Sequence, residues 1–194
     1  MAADPKPARI PLLDVADSRA AAERAGLPPV FGSMSVFRAL LRHPELAGAV
    51  AGLLQLLLRG QHLDARLREL LILRIGWVTG SLYEWTQHWR VARLMQIPEA
   101  DLLGVRDWKG CAAYGPAERA VLAATDETLE TGAISDATFA LCREHVGGPE
   151  ALLELVIAIG NWRMFSSLLR SLEIPLEEGT EPWPPDGRRP AASG

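Results

Sequence analysis

At 194 residues, 48% of them hydrophobic, the chain suits one domain with a sizeable core, or one domain with an added helical arm. A formal net charge of −4 without a basic run argues against nucleic acid and for a small organic molecule, or a second copy of the chain, as partner. The 2 cysteines, Cys111 and Cys142, form neither a disulfide framework nor a metal-binding pair by spacing, which points to free thiols in a reducing cytosol.

Residues 1–9 carry Asp4, Pro5 and Pro7 and no apolar core, so no signal peptide is expected there. Residues 1–17 form a Pro-rich irregular arm. A short helix is predicted over 18–25, stopped by Gly26 and Pro28-Pro29. Ser33 or Ser35 caps a helix to about Arg42, and Pro44 starts another over 45–59 with Gly60 just past its end. In that helix Leu46, Ala49, Val50, Leu53, Leu54 and Leu57 recur at helical spacing. The longest apolar stretch, 46–58, is too short to cross a bilayer, and Arg74 and Glu154 interrupt the next two candidates. The expectation is a soluble, cytoplasmic protein without a membrane partner.

Asp64 is a candidate N-cap for a helix reaching Val78. Thr79-Gly80-Ser81 breaks it, and a second helix follows over 82–96, ended by Pro98. A short helical turn begins at 98–101, a helix runs from Gly115-Pro116 to Thr131, and Ser135 caps one to His145. Gly147-Gly148-Pro149 opens the longest helix, to about Leu172. Strand signals are nearly absent, so the fold class is all-α. The predicted organisation is an arm with short helices over 1–39, a main domain over 40–175 and a Pro-rich tail over 176–194. Trp183 in that tail is expected to dock on the body or on a neighbouring subunit.

The chemistry concentrates in 63–95. Glu84 and His88, four residues apart, share one face of their helix with the apolar Val91, Ala92 and Met95. Burying ionisable groups is costly unless they pair or neutralise, so this pair either satisfies itself structurally or flanks a pocket and moves protons. The preceding helix is apolar nearly all round, yet carries Glu69 and Arg74. The turn at 79–81 folds the two into an antiparallel hairpin, in which Glu69 approaches Glu84 and His88.

A Glu, a tight Gly turn and a helix with a late His resemble the core of the carboxymuconolactone decarboxylase-like superfamily. In its AhpD-like peroxidase branch the pattern is Glu, Cys-x-x-Cys, three residues, then His. Aligned on His88, the cysteines fall on Ser81 and Glu84 and the Glu on Glu69. The words Arg66-Leu67-Arg68-Glu69-Leu70 and Tyr83-Glu84-Trp85-Thr86-Gln87-His88 are similar to the branch lacking cysteines, and Gly160-Asn161-Trp162-Arg163-Met164 resembles a family C-terminal helix. The resemblance covers about 40–175. It implies an AhpD-like domain of antiparallel helix hairpins, assembling as a homo-oligomer, a trimer or hexamer.

Thiol peroxidase chemistry needs a thiolate and a resolving partner, and Ser81 and Glu84 supply neither. Acid–base chemistry remains. Decarboxylases of the superfamily act on a small lactone acid without a metal, so the resemblance implies His88 and Glu84 as the proton-donating pair, with Glu69 orienting or recharging the His. Tyr83 and Trp85 would line the pocket, Arg74 would hold a substrate carboxylate, and Ser81 would cap its helix or face the substrate. Glu69, Glu84 and His88 could be weighed as iron or manganese ligands, but di-metal four-helix sites repeat Glu-x-x-His on two helices, whereas this chain has Glu-x-x-x-His once. No metal or other cofactor is expected. The leading expectation is a lyase or isomerase moving a proton at carbon in a small acidic or lactone-like metabolite. Its rivals are a peroxidase using Cys111 or Cys142 and a non-catalytic oligomeric binding protein. Asn161 and Arg163 interrupt the last helix, and Glu154 shares a face with Asn161, as a seam between subunits or a second wall of the site.

Overall fold

The computed structural model describes residues 7–60 and 62–191, and among them it is all-α, as the residue patterns predict. The α-helices are α1 (Val15–Arg24), α2 (Ser35–Leu40), α3 (Pro44–Arg59), α4 (Ala65–Thr79), α5 (Leu82–Leu94), α6 (Glu99–Gly104), α7 (Pro116–Thr131), α8 (Asp136–His145) and α9 (Pro149–Ser171). Most stops and starts fall where Gly, Pro and Asx residues place them. The first does not: α1 begins three residues before Ser18, because the Asp14 carboxylate accepts from the Asp17 amide at 2.8 Å and caps it.

The helices form two compact units, the described parts of 1–59 with 168–180 and of 60–167 with 181–194. This differs from the expected boundaries after 39 and 175. α3 groups with the N-terminal helices, and residues 181–191 group with the helices bearing the predicted site.

In the first unit α1, α2 and α3 bury Ala21, Ala22, Val36, Phe37, Leu40, Ala47 and Ala51. The start of α2 lacks a cap of its own. Glu177 supplies it, its carboxylate accepting from the Ser35 amide at 2.8 Å where the helix dipole is positive.

The second unit is built on the α4–α5 hairpin. Gly80 takes φ 69° to end α4, a left-handed conformation costly for any other residue. Four residues earlier, a Cβ on Gly76 would stand 3.0 Å from the Trp85 backbone nitrogen, so the glycine lets the two helices approach closely. α4 is apolar on almost every side and is correspondingly enclosed, with Leu70, Leu71, Ile72, Leu73 and Ile75 fully buried. One side of the hairpin carries a tryptophan-rich core of Trp85, Trp89, Trp108, Leu102 and Leu122.

The Pro-rich tail docks on that core. Trp183 lies 6.2 Å, centroid to centroid, from both Trp77 and Trp85, and its backbone N–H donates to Thr86 Oγ1 at 3.3 Å. The Trp85 indole N–H donates to the Pro184 carbonyl at 2.9 Å, and Arg106 grips Asp186 bidentately at 2.8 and 2.9 Å. The Arg106 hydrogen bonds hold the Asp186 carboxyl well below its ordinary range. α9, with 23 residues, is the one helix among the described residues long and apolar enough to cross a bilayer, despite Glu154, and half of its apolar stretch is buried inside the protein.

Candidate functional site

Glu84 and His88 sit one turn apart on α5, as their spacing requires, but each bonds to another helix. His88 Nδ1 lies 2.8 Å from Glu69 Oε2 on α4, and the Trp162 indole N–H on α9 donates to His88 Nε2 at 3.0 Å. An indole N–H is a donor only, so Nε2 presents its lone pair and the ring proton sits on Nδ1, directed at the Glu69 carboxylate. The Trp162 ring meets the imidazole edge to face, centroids 5.7 Å apart. Glu69 is fully buried, and its second oxygen lies 3.5 Å from the buried Arg68 guanidinium, an ionic contact without hydrogen-bond geometry.

Glu84 is 2% exposed and hydrogen-bonds Ser166 of α9, which is also buried. Contacts 84–166 and 88–162 advance in opposite directions, so α5 and α9 pack antiparallel, each contributing residues at i and i+4. Burial raises the Glu84 carboxyl well above its ordinary range, against the lowering effect of the Ser166 and Ser81 hydroxyls. The hydroxyls next to it agree with a neutral acid. Thr79 Oγ1 lies 2.7 Å from the Ile75 carbonyl and 3.1 Å from Ser166 Oγ. Each hydroxyl has one proton to give. If Glu84 were ionised, Ser166 would donate to it and Thr79 would have to choose between Ser166 and Ile75. With Glu84 neutral, the carboxyl O–H donates to Ser166, Ser166 to Thr79 and Thr79 to the carbonyl, and every proton is used.

Glu69, Glu84 and His88 therefore come together around one junction of α4, α5 and α9, though not as a Glu84–His88 pair: the carboxylate that serves the imidazole is Glu69. Glu69 Oε1, Glu84 Oε1 and Ser81 Oγ are buried and make no hydrogen bond of good geometry among the described residues. Ser81 occupies the N-cap position of α5 without its side chain capping the helix. The His88 side chain retains 14% exposure, while Glu69, Glu84 and Ser81 are buried.

Arg74 is elsewhere and occupied. It binds Asp126 bidentately at 2.7 and 2.8 Å and donates to the Val105 and Arg106 carbonyls at 2.9 and 3.2 Å. Trp108 donates to the same Asp126 at 2.8 Å. Four of the five guanidinium N–H groups are used in tying α4 to α7, a structural role in place of the expected grip on a substrate carboxylate. Trp85 is a core residue, fully buried in the tryptophan cluster rather than at a pocket wall, and Tyr83 is 5% exposed.

Trp162, Ser166 and Thr79 are the participants that residue reading missed. Trp162 lies inside the segment Gly160 to Met164 that drew attention, and Ser166 follows one turn later on the same apolar face. That polar atom on an inward stripe was the available signal. Glu154 accepts from the Leu63 amide at 2.8 Å, while the Asn161 side-chain amide is buried without a hydrogen-bond partner among the described residues.

Both cysteines are free. Cys142 is fully buried with its Sγ 3.6 Å from the Ala120 carbonyl, and burial pushes its thiol up to about 11. Such a thiol carries almost no thiolate near neutrality. Among the described residues no three His, Cys, Asp or Glu side chains group as metal ligands. Two sizeable cavities, of about 530 and 410 Å³, are lined by residues of α7, α8, the start of α9 and the loop before α7, and not by Glu69, Glu84 or His88.

Comparison with known proteins agrees with this geometry at the level of the fold. No curated protein matches the sequence. A protein of unknown function from Agrobacterium tumefaciens, whose suggested designation is antioxidant defence protein AhpD, is similar at 25% identity and TM-score 0.64, over 70% of this chain and 94% of that one. An uncharacterized peroxidase-related protein from Ralstonia eutropha with an alkylhydroperoxidase AhpD core shares the fold at TM-score 0.72 and 17% identity, over 89% of this chain and 94% of that one. So does the debrominase Bmp8, solved with 2,3,4-tribromopyrrole, at TM-score 0.71 and 17% identity, over 90% of this chain and 95% of that one. The model of the carboxymuconolactone decarboxylase family matches residues 44–127, which span α3 to most of α7 and hold Glu69, Glu84 and His88. The chain thus has the AhpD-like fold, a match to the carboxymuconolactone decarboxylase family model over residues 44–127, and no Cys-x-x-Cys motif.

Proposed function

We propose that the protein is a cofactor-free, cytoplasmic lyase or isomerase that moves a proton at carbon in a small acidic or lactone-like metabolite. The observation that carries this reading is a buried Glu84, its carboxyl raised well above the ordinary range by burial, one helical turn from an imidazole held by Glu69. A base and an acid thus stand side by side, with Cβ atoms about 5–6 Å apart. His88 Nε2 carries the lone pair. When a substrate C–H replaces the Trp162 N–H, Nε2 takes the proton and Glu69, 2.8 Å away, stabilises the imidazolium. Glu84, already protonated, delivers its proton to carbon and is recharged from solvent by way of the partly exposed Thr79 and then Ser166. In an isomerisation both steps occur on one substrate. In a decarboxylation carbon dioxide leaves with its bond electrons on carbon, and Glu84 protonates that carbon. Glu69 Oε1 is left with hydrogen-bonding capacity for a polar guest. Arg74, committed to Asp126, takes no part.

The test is turnover of candidate lactone acids and keto acids by the wild type and by His88→Gln, Glu69→Gln and Glu84→Gln. Loss of about 10²–10⁴-fold in kcat is expected for His88→Gln and Glu84→Gln. Unchanged rates in both would remove the relay. A second reading, a non-catalytic binding protein of the same fold, draws on one observation: both nitrogens of His88 are already hydrogen-bonded inside the protein. It predicts no turnover of any panel member by the wild type.

A further inference from the structure

A pocket of about 410 Å³ lies between α7, α8 and the loop before α7, apart from Glu69, Glu84 and His88 and within the size range that takes a small organic molecule. Trp108, Tyr114, Ala123 and Leu141 supply its apolar wall, and Arg119 and His145 its basic side chains. Both aromatic residues have their polar ends turned into the protein. The Trp108 indole N–H donates to Asp126 at 2.8 Å, and the Tyr114 hydroxyl donates to the Asp101 carbonyl. What they leave for a guest is ring surface.

The charge on the wall has one sign. Arg119 Nε donates to the Tyr114 carbonyl at 3.1 Å, and its terminal nitrogens donate to the Lys109 and Cys111 carbonyls at 3.2 and 2.8 Å. Three carbonyls hold the guanidinium in place without neutralising it, and Arg119 makes no ion pair among the described residues. One N–H on each terminal nitrogen is left over. Lys109 adds a cation beside the wall, its Nζ 5.5 Å from the Trp108 ring centroid. Carboxylates behind the wall are taken: Glu118, which accepts from the Gly115 amide, pairs with Arg66, and Asp126 pairs with Arg74. Glu144, 3.7 Å from His145, is 70% exposed and screened by water. No carboxylate lines the pocket itself. In a chain of net charge −4, a cleft whose charges are all basic selects an anion. We propose that this pocket binds an aromatic carboxylate of one or two rings, with its ring against Trp108, Tyr114 and Leu141 and its carboxylate on Arg119. A neutral aromatic would leave the guanidinium without a counter-ion, and an aliphatic acid would forgo the ring faces.

Saturation-transfer NMR on the full-length chain, with 2-naphthoate as the probe, tests this. The wild type is expected to bind 2-naphthoate about tenfold more tightly than 2-naphthamide, which has the same shape without the charge. Arg119→Gln is expected to bring the acid down to the level of the amide. Leu141 is 46% exposed, so Leu141→Asp should keep the helical circular dichroism while it sets a like charge against the ligand and abolishes binding. His88→Gln, outside the pocket, should bind as the wild type does. The comparison of acid with amide uses the wild type alone, so it decides the matter even if Arg119→Gln unfolds. No binding at millimolar 2-naphthoate overturns the proposal, as does equal affinity for acid and amide. So does binding that survives Leu141→Asp, or binding that His88→Gln abolishes, which would put the acid at the junction of α4, α5 and α9 instead.

Discussion

Replacing Glu84 by Gln offers a quantitative check on the protonation state of the site. Glutamine has the shape of a neutral glutamic acid and its amide N–H can donate to Ser166 as the carboxyl O–H does. Burial raises the Glu84 carboxyl well above the ordinary value of 4.5 in the folded protein. The sign follows from proton linkage. Between the unfolded and folded pKa the native state holds a proton that the unfolded chain has released, so raising the pH favours unfolding. Glu84 therefore costs the wild type least below pH 4.5, and its cost grows by about 1.4 kcal/mol per pH unit until the folded pKa is passed. Glutamine has no such dependence. The stability of Glu84→Gln minus that of the wild type should rise with that slope from about pH 5 upward, or roughly 3–5 °C in Tm per pH unit for a chain of this size. Thermal melts of both proteins across pH 5–8 measure it, and taking the difference cancels every other titrating group. Parallel curves throughout that range would refute a neutral Glu84.

Other consequences are equally direct. Trp162→Phe keeps a ring beside His88 and removes the N–H at Nε2, so the ¹⁵N resonance of Nε2 should shift while Nδ1 remains protonated toward Glu69. A wild-type spectrum with the proton on Nε2 would contradict the hydrogen-bond assignment. Asp126→Ala leaves the Arg74 guanidinium and the Trp108 N–H without their acceptor in a half-buried setting and should cost about 2–4 kcal/mol in urea unfolding. A loss below about 0.5 kcal/mol would deny Arg74 its structural role. In the native protein Cys111, partly exposed, should alkylate at pH 8 while Cys142, with about one thiolate in a thousand at its raised pKa, should not until the chain unfolds.

Much of the fold was legible because the chain marks its helix ends locally. Gly80, Gly132 and Ser135 stop or start helices where short-range geometry demands. What failed was pairing across distance. The i, i+4 spacing of Glu84 and His88 correctly placed them on one face, but spacing along one helix says nothing of which neighbour reaches across. Glu69 is legible as the neighbour of His88 once the turn at 79–81 is read as a hairpin, whereas Ser166, 82 residues from Glu84, is not. Arg74 misled for the same reason, since its counter-ion Asp126 lies 52 residues on. The two-unit division and the docking of Trp183 on Trp77 and Trp85 also rest on long-range packing that periodicity does not encode.

Proton transfer at carbon can be watched without knowing the full reaction. Incubated in D₂O with a panel of small lactone acids and keto acids, the wild type should exchange a carbon-bound hydrogen of at least one compound for deuterium, read by ¹H NMR, and His88→Gln should not. Exchange by neither protein, or by both at the same rate, would contradict the account.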